Sequence, residues 1–214
     1  MTKYLHIGCG KNILPRPFYN LDFRKGKNVD HVSPAYPLKF KSNSFDLVYA
    51  SHILEHFHKF DTQKVLNEWV RVLKPGGIIR LSVPSIDSLI DIYNHRKDLS
   101  DIVGPLFGGQ NYRGNFHYNI FNKKTLTTML KISGCEAIHP WNYKRTIHSE
   151  YWDFSQAQTL DKDISLNIEG RKKIKNSKNI QNQIINDLKY KIKFLKKKLN
   201  RKDFNKLIKK IINE

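Results

Sequence analysis

The sequence predicts an α/β fold: a seven-stranded, mostly parallel sheet with helices on both faces, a shortened first crossover and a basic amphipathic helical tail. Three observations carry this expectation. Short apolar runs alternate with stretches of helical periodicity, the first connection contains two prolines, and the composition shifts to lysine, asparagine and isoleucine after Gly170.

The first strand is the apolar run at 4–7, ended by Gly8 and Gly10. A second run at 18–23 closes on Asp22 and Phe23, and Pro15 and Pro17 lie between the two. Those prolines exclude a full crossover helix. About eight extended residues still span roughly 26 Å, enough to travel back along a four-residue strand. Residues 24–44 read as loop with a short third strand at 29–32. A fourth strand is expected at 45–50, and Ser51 or His52 opens a helical stretch. The next helix runs from Asp61, as N-cap, to Leu73, with Val65, Leu66, Trp69 and Val70 at helical spacing. Lys74-Pro75-Gly76-Gly77 stops it. A buried strand follows at 78–83, and Ser85 caps a helix to about residue 96. Residues 104–121 are glycine-rich and aromatic without any period, which marks a lid-like substrate loop. A helix at 123–133 and strands at 136–141 and 164–169 complete a domain over 1–170.

The tail, 171–214, carries 16 Lys and Arg against three acids, which is most of the formal charge of +19. The body is therefore only mildly basic. In the tail, Ile180, Ile184, Leu188, Ile192, Leu195 and Leu199 recur every three or four residues, and Phe204, Leu207, Ile208 and Ile211 outline a shorter helix. An apolar stripe suits a partner helix, a homo-oligomer through 180–199 or an anionic membrane surface; phosphate contacts alone do not need one. Nucleic acid is thus the less favoured partner. Cys9 and Cys135 form neither a disulfide framework nor a metal spacing. No apolar run reaches the roughly 18 residues of a membrane span, and the first residues lack a signal segment. A cytoplasmic protein is expected.

A glycine turn between apolar runs, with a carboxylate closing the second, describes a nucleotide or nucleoside site. The segments LHIGCG, LDF, NSFDLVYASHILEHF and RVLKPGGIIRLSVP, in that order, resemble those of class I, Rossmann-like S-adenosylmethionine-dependent methyltransferases. The likeness covers about residues 4–84, and 104–170 is similar to a narrower group of short methyltransferases associated with cell-surface sugar biosynthesis. It implies that Gly8, Cys9 and Gly10 lie under the methionine end of S-adenosylmethionine and that Asp22 accepts the ribose hydroxyls. It also implies that Phe23 lies beside the adenine and that Ala50, Ser51 and His52 border the sulfonium. The chain departs from the family pattern in its curtailed first crossover and in Pro34, which stands where an acid meets the adenine amine. Whether Asp30 substitutes is left open.

His52, Glu55 and His56 share a helix face, and their spacing is not a zincin's, so no metal is expected. Methyl transfer to a hydroxyl needs proton removal, which makes His52, His56 and the loop residue His117 candidate general bases; packing roles for these histidines stay equally open. Cys9 reads as a small buried residue. Gln110, Asn111, Tyr112, Arg113 and Tyr118 are candidate substrate contacts, with Arg113 suited to an anionic acceptor. The segment after the fourth strand, ASHI, lacks the Asn/Asp-Pro-Pro-aromatic motif of adenine N6 methylation. The expected activity is methyl transfer to an oxygen of a small-molecule or carbohydrate acceptor, a sugar, phosphate or sugar nucleotide of surface polysaccharide biosynthesis. The alternatives are RNA or protein methylation with the tail as docking element, and a cofactor-binding partner protein without turnover.

Overall fold

The computed structural model describes residues 2–174, together with Asn186, Lys189, Ile192, Lys193 and Asp203 of the tail, which are helical. The tail helices expected at 180–199 and 204–211 otherwise lie outside the described residues. The chain divides into two compact units, Met1–Lys173 and Ile174–Glu214. Among the described residues no helix is long and apolar enough to cross a membrane.

The elements in chain order are β1 (Tyr4–Ile7), β2 (Phe18–Asp22), β3 (His31–Val32), β4 (Phe45–Ser51), α1 (Lys59–Val72), β5 (Leu73–Pro84), α2 (Ile86–Arg96), α3 (Ser100–Phe107), α4 (Lys123–Ile132), β6 (Cys135–Pro140), the hairpin β7 (Gln158–Thr159) and β8 (Lys162–Asp163), and β9 (Ser165–Lys172). Seven of the strands form one sheet in the order β3-β2-β1-β4-β5-β9-β6. The expected mostly parallel sheet is in fact a mixed one. β1 to β5 pair in parallel, whereas β9 enters from the opposite direction and is antiparallel to both β5 and β6. It can do so because β9 follows the β7–β8 hairpin rather than a crossover helix.

Alternation along the strands splits the core into two faces. Leu5, Ile7, Val48 and Ala50 point to the face that packs Val65, Leu66 and Trp69 of α1 and Leu126 and Leu130 of α4. His6 and Tyr49 point the other way, where Leu14, Phe18, Leu47, Tyr49 and Trp141 cluster. This second face is the one a helix between β1 and β2 would have covered. Instead, the irregular 8–17 segment lies on it, and Asn20 holds that segment by pairing with both backbone groups of Leu14, accepting at 3.1 Å and donating at 2.8 Å. His6 Nδ1 donates to the same Asn20 oxygen at 3.1 Å. The chain after β6 closes the face: His148 lies 4.5 Å from Tyr49 and 5.5 Å from Phe18 between ring centroids.

Several element boundaries differ from expectation for local reasons. His58, not Asp61, is the N-cap position of α1, and Asp61 instead pairs with Lys64 at 2.8 Å. The helix ends at Val72 and β5 starts at Leu73, with a pairing irregularity opposite Phe45 and Leu47. A side chain at Gly77 would stand 2.9 Å from the Lys74 carbonyl, so this entry into β5 requires glycine. His52 takes a left-handed φ of 53°, which stops a helix from starting at β4; only a 3-10 turn, Leu54–His56, precedes α1. Gly104 to Phe107 belong to α3, whose Ile102 and Leu106 pack on Leu89 and Ile92, so the irregular stretch begins at Gly108.

Candidate functional site

The strand order turns at β1: β2 and β3 lie to one side, β4 and β5 to the other. In open α/β sheets ligands bind outside the carboxyl ends of the strands at that turning point. A cavity of about 840 Å³ opens there. Its floor is Gly8, Cys9 and Gly10 after β1, its sides are Asp22 and Phe23 after β2 and Ser51, His52 and Ile53 after β4, and its rim comes from 104–117 and 152–154.

Gly8 and Gly10 both take left-handed backbone, with φ of 69° and 53°. A Cβ at Gly8 would meet Ile53 Cδ1 at 2.1 Å, so glycine lets the β1 and β4 ends approach each other here. The turn is tied to β2, because the Gly8 and Cys9 amides both donate to the Leu21 carbonyl, at 2.8 and 3.0 Å. Gly10 N donates to Asp22 Oδ2 at 2.8 Å, while Arg24 donates to Oδ1 through its backbone N at 2.9 Å and Nε at 3.0 Å. Burial pushes the Asp22 carboxyl up, but the bonds from Arg24 and Gly10 outweigh it and hold the group below the usual carboxylate range. Asp22 is therefore a buried, ionised acceptor at the cavity wall. The Cys9 thiol is pushed up to about 12, first by burial and then by Asp22, and is inert as a nucleophile.

Arg24 also links β2 to the irregular loop. Its guanidinium lies 5.0 Å from the Phe23 ring centre and 5.3 Å from that of Tyr112. Tyr112 and His117 line the cavity, whereas Gln110, Arg113 and Tyr118 do not. Gln110 donates to the Phe107 carbonyl, and Tyr118 stacks on His58 with ring centroids 4.0 Å apart. Asn111 accepts from Asn115, whose side of the loop does reach the cavity. Ala50 is buried in the core beneath Ser51 and does not line the cavity. Asp30 is also elsewhere, taken up by Arg16 at 2.7 Å and the Asn20 amide at 2.8 Å.

The opposite wall gathers three histidines around a fully buried carboxylate. Glu55 is 0% exposed, and neither of its oxygens has a hydrogen-bond donor. Its Oε1 lies 3.4 Å from His52 Nδ1 and 4.0 Å from His117 Nε2. His56 and His117 stand edge to face, with ring centroids 4.7 Å apart. Burial pushes Glu55 up to about 8. Burial likewise lowers His52 to about 3 and His56 to about 4, helped in both by His117, and lowers His117 as well. The imidazoles are thus neutral and keep lone pairs. Ligand atoms of Glu55, His56 and His117 lie within 4.8 Å of one another.

Residues 5–81 match a family model described as a methyltransferase domain. Over this segment the chain is similar to methyltransferase domains. No curated protein matches the chain. Solved structures share the fold. A possible exported protein from Bordetella parapertussis is 12% identical, with a TM-score of 0.55 over 81% of this chain and 62% of that one. A SAM-dependent methyltransferase from Archaeoglobus fulgidus is 15% identical, with a TM-score of 0.51 over 80% and 86%. The chain thus spans less than two thirds of the Bordetella protein.

Sequence reasoning missed the 152–154 wall of the cavity. Asp153 is buried and accepts from Tyr49 OH, from Ser51 Oγ at 3.2 Å and from Ser155 N at 2.7 Å. It fixes Ser51 at the cavity edge. The signal was the Tyr151-Trp152-Asp153-Phe154 run, an aromatic cluster around one acid inside an otherwise polar stretch.

Proposed function

We propose that the domain transfers the methyl group of S-adenosylmethionine to an oxygen of a small-molecule or carbohydrate acceptor, a sugar, phosphate or sugar nucleotide of surface polysaccharide assembly. The observation that supports this most is one cavity flanked on one side by Gly8, Gly10 and ionised Asp22 and on the other by neutral imidazoles. Its volume of about 840 Å³ lies in the range of cavities that enclose small molecules. The residues present fit the cofactor. Gly8 and Gly10 offer a floor without side chains, Asp22 is an acceptor for a ribose diol, and Phe23 is a half-exposed ring for the adenine.

When bound, S-adenosylmethionine supplies an electrophilic methyl carbon on a sulfonium that becomes a neutral thioether on transfer. The chain's own part is to hold the acceptor oxygen in line and to receive its proton. His52, His56 and His117 line the wall where that proton leaves, and each has one ring nitrogen free of a hydrogen. Tyr112 and the 108–115 backbone cover the acceptor side and exclude water. The basic tail favours a second reading, in which the acceptor oxygen belongs to RNA and 171–214 docks on its phosphates.

Calorimetry with S-adenosylmethionine, followed by transfer assays over a panel of sugars, sugar phosphates and sugar nucleotides, tests the first reading. Asp22→Ala removes a charged acceptor of two hydroxyls and is expected to weaken cofactor binding roughly 10- to 100-fold. Unchanged affinity in a folded Asp22→Ala protein rejects the assignment of the cofactor side. Methylation of RNA that is lost on deleting 171–214, with no transfer to the small-molecule panel, selects the second reading.

A further inference from the structure

The histidine wall of the cavity poses a problem of charge. Each imidazole has one nitrogen committed to an oxygen outside the cluster. His56 Nδ1 donates to the Phe116 carbonyl at 3.0 Å and His117 Nδ1 to the Pro105 carbonyl at 2.8 Å. A carbonyl only accepts, so those nitrogens carry the hydrogens and the Nε2 atoms are bare. The same reasoning fixes His52. Ser165 Oγ spends its own hydrogen on the Phe154 carbonyl at 2.6 Å, so it accepts from His52 Nε2 at 2.8 Å, and Nδ1 is bare. That bare nitrogen points at Glu55 Oε1 from 3.4 Å, and bare His117 Nε2 faces the same oxygen from 4.0 Å. Both carboxylate oxygens are buried without a donor. Lone pairs thus converge on Glu55 from two imidazoles, and a proton on its carboxyl can serve only one of them, whereas a cation among them would serve all.

We propose that Glu55, His56 and His117 bind a divalent first-row transition-metal ion at the wall of the cavity, with His52 as an adjacent third imidazole. Two imidazoles and one carboxylate are a donor set for zinc, iron, cobalt or manganese with coordination positions left open. The outer N–H bonds to carbonyls and to Ser165 are the supports that orient metal-binding imidazoles and fix their tautomers. Ligand atoms about 2.1 Å from a shared ion lie at most about 4.2 Å apart. In a tetrahedral set the separation is about 3.4 Å, so the observed spread of up to 4.8 Å closes with combined side-chain shifts on the order of an ångström.

Sequence spacing argues against a metal because His52, Glu55 and His56 do not follow a zincin's pattern; the structure adds His117 from the loop after α3, 61 residues beyond His56. His117 also ties that loop to the wall, so metal binding closes the acceptor side. A consequence that rests on the methyl-transfer reading is the acceptor class. An open position beside His56 takes an acceptor hydroxyl, whose proton loss the cation eases. The metal site itself stands independently of methyl transfer; when occupied it uses the free nitrogens of His56 and His117, so those two imidazoles then no longer receive the acceptor's proton.

The test uses the full chain, freed of metal with a chelator and titrated with Co²⁺ by visible absorption and with Zn²⁺ by calorimetry. We expect one equivalent to bind, and Glu55→Gln and His117→Gln to weaken binding at least about 100-fold. The exposed His139→Gln variant should bind as the wild type does. Circular dichroism and S-adenosylmethionine binding on the same samples separate misfolding from ligand loss. X-ray absorption of the wild-type zinc complex should show two or three imidazole nitrogens, which keeps the proposal testable if both variants fail to fold. Absence of saturable one-equivalent uptake, an all-oxygen shell, or folded variants that bind as tightly as wild type each overturn the site. Metal uptake without S-adenosylmethionine binding would instead overturn the methyl-transfer reading and leave the metal site in place.

Discussion

At Gly8 two separate constraints meet in one residue. The backbone is left-handed at φ 69°, and the space a Cβ would occupy holds the Ile53 side chain at 2.1 Å. The first constraint costs an L-residue about 1–2 kcal/mol, and the second can be relieved, because Ile53 Cδ1 is the far end of a flexible side chain. Gly8→Ala should therefore lower stability by about 1–3 kcal/mol and weaken S-adenosylmethionine binding as Ile53 is pushed into the cavity. Adding Ile53→Ala should restore part of the affinity while leaving the backbone cost. Thermal unfolding and calorimetry on the two single variants and the double variant check this; strict additivity would mean that the two side chains do not compete for the same space. Gly8, Gly10 and Asp22 were legible in the sequence because a glycine or a strand-ending acid reports a local need. Glu55 was not, since what makes it unusual is the absence of any donor around a carboxylate whose neighbours come from 116–118 as much as from its own turn. Burial is a property of the assembled fold, and no spacing rule reveals it.

Among the elements, the connection between β1 and β2 decides how the rest of the sheet is covered. Pro15 and Pro17 made the missing helix legible, because their effect is local. What replaces the helix was not legible, since Trp141 and His148 reach the exposed face from more than a hundred residues away. Asn20 is the pivot of the replacement, pairing with Leu14 N, Leu14 O and His6 Nδ1 from within β2. Asn20→Leu preserves the volume and strands all three groups. Each unpaired buried polar group costs about 1–3 kcal/mol, so the loss should exceed about 2 kcal/mol. Urea unfolding with an unchanged m-value measures it. A loss below about 0.5 kcal/mol would show that water or a shifted 11–15 segment takes over the bonds, and that Asn20 does not hold the crossover. The antiparallel β9 is a second feature that local patterning left open, because an apolar run carries no sign of its direction.

For the molecule as a whole, the covered second face makes stability depend on pH. His6 and His148 are both about 2% exposed, and burial lowers each to about 4. Asp153 and Asp22 oppose that shift at His6; at His148 Arg80 and His6 add to it and Asp153 opposes it. Neither His148 nitrogen has a hydrogen-bond partner, so a proton there gains nothing from its surroundings. The folded values lie below the ordinary histidine value of about 6.5, so the unfolded chain binds protons more readily as acid is added. The stability these groups contribute is complete above about pH 6.5 and is lost as pH falls toward 4. One such group adds a slope of up to about 1.4 kcal/mol per pH unit within that window. His148→Phe keeps a ring against Tyr49 and Phe18 and removes one titrating site. Its unfolding free energy should therefore fall less steeply between pH 6.5 and 4.5, by up to one proton, while the two proteins differ little in slope above pH 7. Asp22 does not blur the comparison, because a depressed carboxylate loses its contribution only below the usual carboxylate range, and it is present in both proteins. Denaturation curves for the full chain at half-unit pH steps supply the two slopes. Equal slopes would mean that His148 is already protonated or solvated in the folded protein, and that the 141–153 segment does not seal the sheet at neutral pH.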